Sequence, residues 1–363
     1  MPTPNDKPVI VVMAGGTGGH VFPALSSAEK LREAGYHIHW LGTERGIESR
    51  LVPASGIDIS YLTISGVRGK GAMGWLSAPF KVMRAVHESI AILKTLRPVC
   101  VLGMGGFAAA PGGIAARWLN IPLVIHEQNA LAGSTNKMLS MLASRVLQAF
   151  SGAFNGRDKG EVVGNPIRQS IESVREQREH ASDSETKHVL VLGGSQGALA
   201  LNGIVPGALR QVAKEFSLAI RHQTGERGYE DVARNYSDMP EAEAVAFIND
   251  MAEAYAWADV VICRSGALTV SELAAAGLPS ILVPFPHAID DHQTANANIL
   301  VGAGGALLMP QDQMSEKTLS NLLADLIRPP SKLPKMSDCA RSVAVLGSAE
   351  KVARVCMELA REY

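Results

Sequence analysis

Residues 9–19, with the sequence VIVVMAGGTGG, decide the fold, and residues 189–197, with the sequence VLVLGGSQG, repeat their pattern. Each stretch begins with an apolar, β-branched run that predicts a buried strand, and each ends in a glycine-rich turn. A helical pattern follows each turn, so a phosphate group could approach the backbone amides at the positive end of a helix. We therefore expect two domains that begin alike, and the two turns in corresponding positions predict an anionic ligand between the domains.

Short apolar runs alternate with longer helical patterns, such as 22–34 and 80–96, along the whole chain. Because a parallel return needs a crossover helix, this alternation predicts parallel sheets. The fold class we expect is α/β, with two Rossmann-like, doubly wound domains facing a deep cleft. The predicted strands are 9–13, 38–41, 99–102, 123–126, 146–148, 189–192, 218–221, 245–247, 260–262, 281–283 and 306–308.

The length of 363 residues favours two domains, which we place at 1–165 and 166–344, with a last helix at about 345–363. The segment 168–187 is polar and poorly periodic, so it is predicted to be the linker. Residues 1–165 carry 16 Lys/Arg against 10 Asp/Glu, and the remainder carries 18 against 25. A basic amino-terminal half indicates an anionic partner, either a phosphate or a lipid surface, with chance asymmetry as the alternative.

Several classes of function are disfavoured by the composition. Aromatic residues make up only 5% of the chain, which argues against nucleic-acid binding by stacking. The four cysteines have no C-x-x-C spacing, and the chain shows neither a signal peptide nor a long apolar run. We expect a cytoplasmic protein, peripheral to a membrane at most.

Neither glycine turn is a standard nucleotide motif. Val21 stands where a G-x-G-x-x-G fingerprint needs glycine, and no G-K-[ST] follows either turn, which excludes a P-loop. The chain also has no D-x-D motif and no H-x-x-x-H pair, so we expect no metal and no cofactor. The charge of a diphosphate would then be balanced by amides and helix dipoles. His20, at the end of the first turn, is either a general base or a structural residue.

The segment 264–272, RSGALTVSE, follows a predicted strand and is expected to form a helix with Ser265 as its N-cap. Glu272 would lie about two turns into that helix, where its carboxylate could accept both hydroxyls of a ribose or could simply be solvated. Residues 284–296, PFPHAIDDHQTAN, are expected to form a polar loop suited either to sugar hydroxyls or to the surface.

A third segment, 68–84, mixes basic with apolar side chains. Such a mixture is typical of a surface that contacts anionic lipid, although the apolar side chains could instead enter the core. The predicted membrane patch consists of Arg68, Lys70, Trp75, Leu76, Phe80, Lys81, Met83 and Arg84.

These motifs, together with LGMGGF, HEQNALAG, EVVGNPIR and the H-x-x-D-x-H-Q-x-x-N-A loop, resemble the bacterial peptidoglycan glycosyltransferases that add N-acetylglucosamine to lipid I. The resemblance runs from Met13 to Ala297 in the family's order. It implies a GT-B fold in which the last helix crosses back onto the first domain. It also implies UDP-N-acetylglucosamine and lipid I as substrates, an anionic membrane surface, and cell-wall or division proteins as partners, with no nucleic acid.

The resemblance further implies roles for particular residues. His20 is the first candidate for the base that deprotonates the acceptor, and His126 is the second. The acceptor diphosphate would contact Gly15, Gly16, Thr17, Gly18 and Gly19. The donor would contact Thr17, Gly18, Gly19, Asn129, Arg168, Ser195, Gln196, Gly197, Ile248, Ala267, Leu268, Thr269, Val270, Ser271, Glu272, Gln293 and Asn296. In that set Ile248 would contact uracil, Glu272 the ribose, and Ser195 the diphosphate.

Two positions depart from the family pattern. Phe107 stands where a tyrosine is frequent, and His292 replaces the first of two glutamines. Two rival functions also remain: a UDP-N-acetylglucosamine 2-epimerase on a similar scaffold, and a UDP-sugar-binding protein without turnover.

Overall fold

The structure is a computed structural model that describes residues 7–64, 71–154, 160–179, 185–194 and 197–363, with the backbone alone at 71–79, 179 and 289. The chain divides into two compact units. Unit 1 comprises Met1–Arg168 and Gly347–Tyr363, and unit 2 comprises Gln169–Leu346. Among the described residues, no helix is long and apolar enough to cross a membrane.

Unit 1 is built on a parallel sheet in the order β3-β2-β1-β4-β5-β6-β7. Its strands are β1 (Val9–Met13), β2 (His37–Gly42), β3 (Asp58–Tyr61), β4 (Cys100–Gly103), β5 (Leu123–Glu127), β6 (Arg145–Gln148) and β7 (Glu161–Val162). Its helices are α1 (Gly18–Glu33), α2 (Glu48–Ala54), α3 (Gly71–Leu96), α4 (Ala109–Trp118), α5 (Ser134–Leu139) and the last helix, α15 (Ser348–Glu362).

The two faces of this sheet bury separate cores. One face packs against α1 and α15, where Trp40, Leu31 and Val352 are fully buried. The other packs against α3, α4 and α5, with Leu93 and Leu139 in the core. Burying one such side chain contributes about 1.5–3 kcal/mol. Because α15 fills one of the two cores, the last residues of the chain are an integral part of unit 1.

Unit 2 is built on a second parallel sheet, in the order β10-β9-β8-β11-β12-β13. Its strands are β8 (Lys187–Leu192), β9 (Leu218–Gln223), β10 (Ala242–Val245), β11 (Val260–Cys263), β12 (Ser280–Leu282) and β13 (Ala306–Leu308). Its helices are α6 (Gln169–Glu172), α7 (Val174–Glu179), α8 (Leu199–Val212), α9 (Tyr229–Asn235), α10 (Met251–Trp257), α11 (Ala267–Ala276), α12 (His292–Ala303), α13 (Glu316–Ile327) and α14 (Lys332–Ser342).

The predicted α/β class with two doubly wound parallel sheets is confirmed. In both sheets the first strand lies beside the fourth, and the strand order reverses there: β1 pairs with β4, and β8 pairs with β11. Ligands of such folds bind outside the carboxyl ends of the strands at this reversal. Both glycine-rich turns lie at these two switch points.

The prediction of an irregular linker at 168–187 is wrong for 169–179, where α6 and α7 form. Ile171 and Val174 are fully buried, so these short helices pack onto unit 2. The guanidinium of Arg178 donates to the backbone oxygens of Tyr255 and Ala258. Burial lowers the pKa of Arg178 to about 10, which leaves it charged at neutral pH.

Candidate active site

Two glycine turns meet at the switch point of unit 1. The first, Gly15-Gly16, follows β1, and the second, Gly105-Gly106, follows β4. A Cβ placed on Gly106 would lie 2.8 Å from the backbone nitrogen of Gly15. Gly105 and Gly106 also have φ angles of 94° and 85°, which disfavour any residue with a side chain. Glycine is therefore required here by both conformation and space.

His20 lies directly against this pair of turns. It is the third residue of α1 and is half-buried. A Cβ on Gly105 would lie 2.8 Å from His20 Cδ2 and 3.1 Å from Nε2. The absence of a side chain at Gly105 thus makes room for the imidazole beside the head of α1. The role of His20 as a base stays a prediction, but its position is compatible with that role.

Glu48 holds the first turn from the inside of the molecule. Its carboxylate is fully buried, and Oε2 accepts a hydrogen bond of 3.0 Å from the Gly16 amide. Its Oε1 accepts from the backbone nitrogen of Thr43 at 3.1 Å and from Thr43 Oγ1 at 2.7 Å. A buried carboxylate is costly unless such donors compensate it. Glu48 therefore ties the turn after β1 to the turn after β2.

His126 does not fit the role of a base in this structure, and we withdraw it as the second candidate. The ring is fully buried, with Nε2 at 2.9 Å from the backbone oxygen of Gly164 and Nδ1 at 3.2 Å from the side-chain nitrogen of Gln128. Burial lowers the pKa of His126 to about 4, although the Gly164 oxygen and Glu127 both oppose this shift. A neutral imidazole with both nitrogens bonded inside the protein has a structural role.

Glu127 organises the turn that carries Asn129. The buried carboxylate accepts from the backbone and side-chain nitrogens of Asn129 at 2.9 and 3.1 Å. Its other oxygen accepts from the Gly133 amide and from Asn136 Nδ2. Glu127 thus fixes the backbone after β5 as Glu48 fixes it after β1. The contact of Asn129 with a ligand stays a prediction.

The glycine turn of unit 2 is held by a neutral side chain instead of a carboxylate. Gln223 Oε1 accepts from the Gly194 amide at 3.0 Å, and Nε2 donates to the Gly194 oxygen at 2.9 Å. Gly197, with a φ of 75°, closes the turn through its amide, which donates to the Gly194 oxygen. Ser195 and Gln196, both predicted to contact the donor, lie outside the described residues.

The helix that follows β11 begins one residue later than predicted. Its N-cap is Gly266, whereas the predicted cap, Ser265, is fully buried. Ser265 Oγ has no hydrogen-bond partner among the residues that the structure describes. The first turn of α11 comprises four of the five residues predicted to contact the donor diphosphate, and Ser271 bonds back to the oxygen of Ala267. The full predicted set is Ala267, Leu268, Thr269, Val270 and Ser271.

Glu272 is buried in α11, with 6% of its surface exposed. Its Oε2 accepts a hydrogen bond of 2.9 Å from the hydroxyl of Tyr255, a residue of α10 that is itself buried. The helix α10 begins at the N-cap Asp250, directly after Ile248 and Asn249. The Tyr255 hydroxyl therefore connects the segment predicted to contact uracil with the carboxylate predicted to contact ribose.

The prediction of a loop over 284–296 is wrong at its carboxyl end, where α12 begins at His292. Gln293 lies on this helix, and its Oε1 accepts from the Phe285 amide at 2.9 Å. Asn296 is fully buried and donates to the Ser265 oxygen at 3.3 Å. Asn296 thus holds the chain before α11, and its contact with sugar hydroxyls stays a prediction.

Asp290 and Asp291 lead into α12 with φ angles of 54° and 50°, a left-handed conformation that costs energy in residues other than glycine. Arg264, which directly follows β11, fixes the start of the same segment. Its guanidinium donates to the oxygens of Val283 and Pro284. These contacts hold the loop after β12 beside the head of α11.

Five further residues predicted to contact the donor lie near the ends of strands and helices, and their contacts stay predictions. Ile248 is half-buried after β10, beside Phe247, which is 56% exposed. The guanidinium carbon of Arg168 lies 5.4 Å from the centre of the Phe22 ring in α1. Thr17 is exposed before α1, and Gly18 and Gly19 begin that helix.

Part of the predicted membrane patch can be described. Phe80 and Met83 on α3 are 72% and 63% exposed, so neither enters the core. Lys81 is exposed, and Arg84 pairs with Glu88 at 2.9 Å. Arg68 and Lys70 lie outside the described residues, as do the side chains of Trp75 and Leu76. The apolar side chains at 80 and 83 are therefore on the surface.

One group of described residues could hold a metal ion, namely His37, His39 and Asp58 on β2 and β3. It lies toward the amino ends of the strands, whereas the glycine turns follow the carboxyl ends. The pocket beside His37 is also lined by Lys7 and Arg32, whose charges oppose a cation. This group is not part of the candidate active site.

Two doubly wound domains, each with a glycine turn at its switch point, form the GT-B architecture of nucleotide-sugar enzymes. The sequence model of the glycosyltransferase family 28 N-terminal domain matches residues 10–148 of the chain. The sequence model of the family's C-terminal domain matches residues 188–353. The chain belongs to glycosyltransferase family 28.

Among known relatives, UDP-N-acetylglucosamine–N-acetylmuramyl-(pentapeptide) pyrophosphoryl-undecaprenol N-acetylglucosamine transferase of Methylococcus capsulatus is 52% identical over 350 residues, covering 96% of this chain and 98% of that protein. The crystal structure of Acinetobacter baumannii MurG is 40% identical with a TM-score of 0.82, and 97% and 99% of the two chains are covered. The crystal structure of the UDP-GlcNAc 2-epimerase of Neisseria meningitidis is 13% identical with a TM-score of 0.68, and the match covers 96% of this chain and 99% of that chain. The epimerase shares the fold alone.

Sequence reasoning missed the side chains that hold the turns, namely Glu48, Glu127, Gln223 and Tyr255. The space that Gly15, Gly42 and Gly46 leave for the carboxylate of Glu48 is visible only in the folded chain. Gln223 and Tyr255 carry no signal in the sequence either, since their partners are far away along the chain.

Proposed function

We propose that the chain transfers N-acetylglucosamine from UDP-N-acetylglucosamine to the C4 hydroxyl of the N-acetylmuramic acid of lipid I, giving lipid II for peptidoglycan synthesis. The observation that carries this proposal is the agreement over 96% of the chain with a relative named for that transfer. The geometry supports it, because donor and acceptor each contain a diphosphate and each unit has a glycine turn at its switch point.

In this proposal unit 2 binds the donor. Its diphosphate contacts the turn after β8 and the head of α11, where helix amides and the positive dipole end balance the charge. Uracil contacts the backbone near Ile248, and the ribose hydroxyls donate to Glu272. Gln293 is retained as a contact of the sugar, close to Phe285.

Unit 1 binds the acceptor diphosphate at Gly15–Gly19, beside His20. The acceptor C4 oxygen attacks the anomeric carbon, and His20 takes the hydroxyl proton. The bond from the anomeric carbon to the phosphate oxygen breaks in the same step, so UDP leaves with the electron pair and the configuration inverts. Fixed amides at the head of α11 stabilise the charge that develops on UDP.

Tyr255→Phe is expected to raise the donor KM about three- to tenfold with little change in kcat, because it removes one hydrogen bond that orients Glu272. Donor KM and kcat from steady-state kinetics test this. Tyr236→Phe is a matched control, since its buried hydroxyl bonds to His222 in the same unit. An equal change of donor KM in both variants would contradict a specific role for Tyr255.

We also infer that unit 1 contacts an anionic membrane surface, on the cytoplasmic face of the inner membrane, where lipid I is accessible. The exposed Phe80 and Met83 stand beside Lys81 on α3. Trp118, at the end of α4, is 76% exposed, and α4 packs against α3. A surface of this kind binds lipid because its apolar side chains insert among the headgroups and its lysine attracts anionic headgroups.

The double substitution Phe80→Ser and Met83→Ser is expected to lower binding to vesicles containing anionic phospholipid by about tenfold or more, because two large apolar side chains no longer insert. Co-sedimentation with vesicles measures it, with Tyr229→Ser of unit 2 as a control for loss of an exposed aromatic ring. Unchanged vesicle binding by the double variant would remove α3 from the membrane contact.

Mass spectrometry tests the proposed reaction. The protein is incubated with UDP-N-acetylglucosamine and a short-chain lipid I analogue in the presence of a chelator. The expected result is a glycolipid heavier by one N-acetylhexosamine, together with an equal amount of UDP. Conversion of the donor to its C2 epimer would instead favour the epimerase, and binding without any product would favour a UDP-sugar-binding protein.

A further inference from the structure

The carboxylate of Glu48 occupies a space that the surrounding backbone leaves for it. A Cβ on Gly15 would lie 2.5 Å from Oε1, and a Cβ on Gly42 would lie 2.9 Å from Cγ. Gly46 would clash with the same carboxylate if it carried a side chain. Three glycines, one after β1, one at the end of β2 and one in the connection from β2 to α2, therefore surround one fully buried acidic side chain.

The three groups bonded to this carboxylate all act as donors toward it. They are the amides of Gly16 and Thr43 and the hydroxyl of Thr43. An ionised carboxylate only accepts hydrogen bonds, so it satisfies all three at once. Glu48 is also the first residue of α2, where the helix dipole stabilises a negative charge. The groups around Glu48 are therefore suited to a carboxylate side chain at this position.

The bond to Gly16 determines the direction of the turn. Because the Gly16 amide points inward to Glu48, the backbone then turns with a φ of 94° and leads through Thr17 into α1. The first amides of a helix have no partner within the helix and can face a ligand. Holding Gly16 in this orientation fixes the direction in which the amides at the head of α1 point.

We propose that Glu48 is a positioning residue for the acceptor: it sets the turn after β1 so that the head of α1 receives the acceptor diphosphate and His20 stands beside the acceptor hydroxyl. This inference rests on the proposed function, which assigns the acceptor to this turn. Glu48 is buried in unit 1, whereas the residues that we propose bind the UDP part of the donor belong to unit 2, so the affinity for UDP is not expected to depend on Glu48.

Glu48→Gln tests the proposal with a nearly unchanged shape. Glutamine has one acceptor oxygen and a donor NH₂ group, which must face either Gly16 or Thr43 and repel an N–H there. We expect acceptor KM to rise about tenfold or more and kcat to fall, since small displacements of reacting groups have large effects. Donor KM and the affinity for UDP are expected to stay at the wild-type values.

Glu44→Gln is the matched control, because Glu44 is exposed in the same connection between β2 and α2. A folded Glu48→Gln variant with wild-type acceptor KM would overturn the proposal, and so would equal increases of donor and acceptor KM. Circular dichroism and thermal melting establish whether the variant is folded.

A milder pair of substitutions decides the question if Glu48→Gln does not fold. Thr43→Val removes one donor to the carboxylate, and Thr43→Ser restores it. We expect acceptor KM to rise about two- to threefold in Thr43→Val and to return in Thr43→Ser, with donor KM constant. Equal acceptor KM in the two variants would overturn the proposal. Absence of transfer by the wild-type protein would contradict the proposed function itself, so the two failures are distinguishable.

Discussion

His20→Ala is expected to lower kcat by about 10²–10⁴-fold, the usual contribution of a general base. The imidazole lies at the head of α1, against Gly105, in the unit to which we assign the acceptor. Loss of the ring removes the group that takes the proton from the acceptor hydroxyl. It leaves unit 2 intact, so the dissociation constant of UDP-N-acetylglucosamine is expected to be unchanged.

Single-turnover kinetics and donor titration check both parts of this prediction. His37→Ala is the matched control, because His37 is partly exposed at the opposite end of the same sheet. We expect the control to retain wild-type turnover. Wild-type kcat in His20→Ala would transfer the base role to another group, whereas a parallel loss of donor affinity would indicate a broader structural effect.

Glu272→Ala is expected to raise the donor KM by about 30- to 150-fold, which corresponds to about 2–3 kcal/mol for hydrogen bonds to a charged group. Glu272 is 6% exposed and its carboxylate is oriented by the Tyr255 hydroxyl, so the directions from which it can accept hydrogen bonds are well defined. The value of kcat at saturating donor is expected to change much less, because the ribose is remote from the reacting atoms.

A 2′-deoxyribose donor makes the measurement specific for the sugar hydroxyls. Wild-type protein is expected to prefer the ribose donor, and Glu272→Ala is expected to lose that preference. Glu253→Ala is the control, since Glu253 forms an exposed pair with Arg221 in the same unit. Unchanged donor KM in Glu272→Ala, or a preserved preference for ribose, would contradict the ribose assignment.

The buried strands were predictable because their apolar runs are long and β-branched, as in β1 and β8. Of the four edge strands in the two described sheets, only β13 was predicted, at 306–308. Asp58–Tyr61 was missed because it is polar and largely exposed, and 245–247 was assigned where the strand is Ala242–Val245. An edge strand is only partly buried, so its composition approaches that of a loop.

The candidate site was also only partly predictable from the sequence. The positions of the glycine turns were predictable because each turn directly follows a predicted strand and precedes a predicted helix. Glu48 and Glu127 were missed because a buried glutamate is rare, and in sequence it is indistinguishable from a solvated one. Asn296 was predicted to contact the donor and His126 was the second candidate for the base, and only the packing shows that both are enclosed by protein.

The return of α15 to unit 1 has a consequence for how the chain folds during synthesis. Unit 2 is encoded as one continuous segment, so all its strands have been translated before the last helix. Unit 1 lacks Val352 and Cys356, both fully buried, until α15 has been translated. A chain that lacks α15 is thus expected to expose the apolar face of α1. Such a chain is expected to stay bound to chaperones or to be degraded by proteases until α15 packs against unit 1.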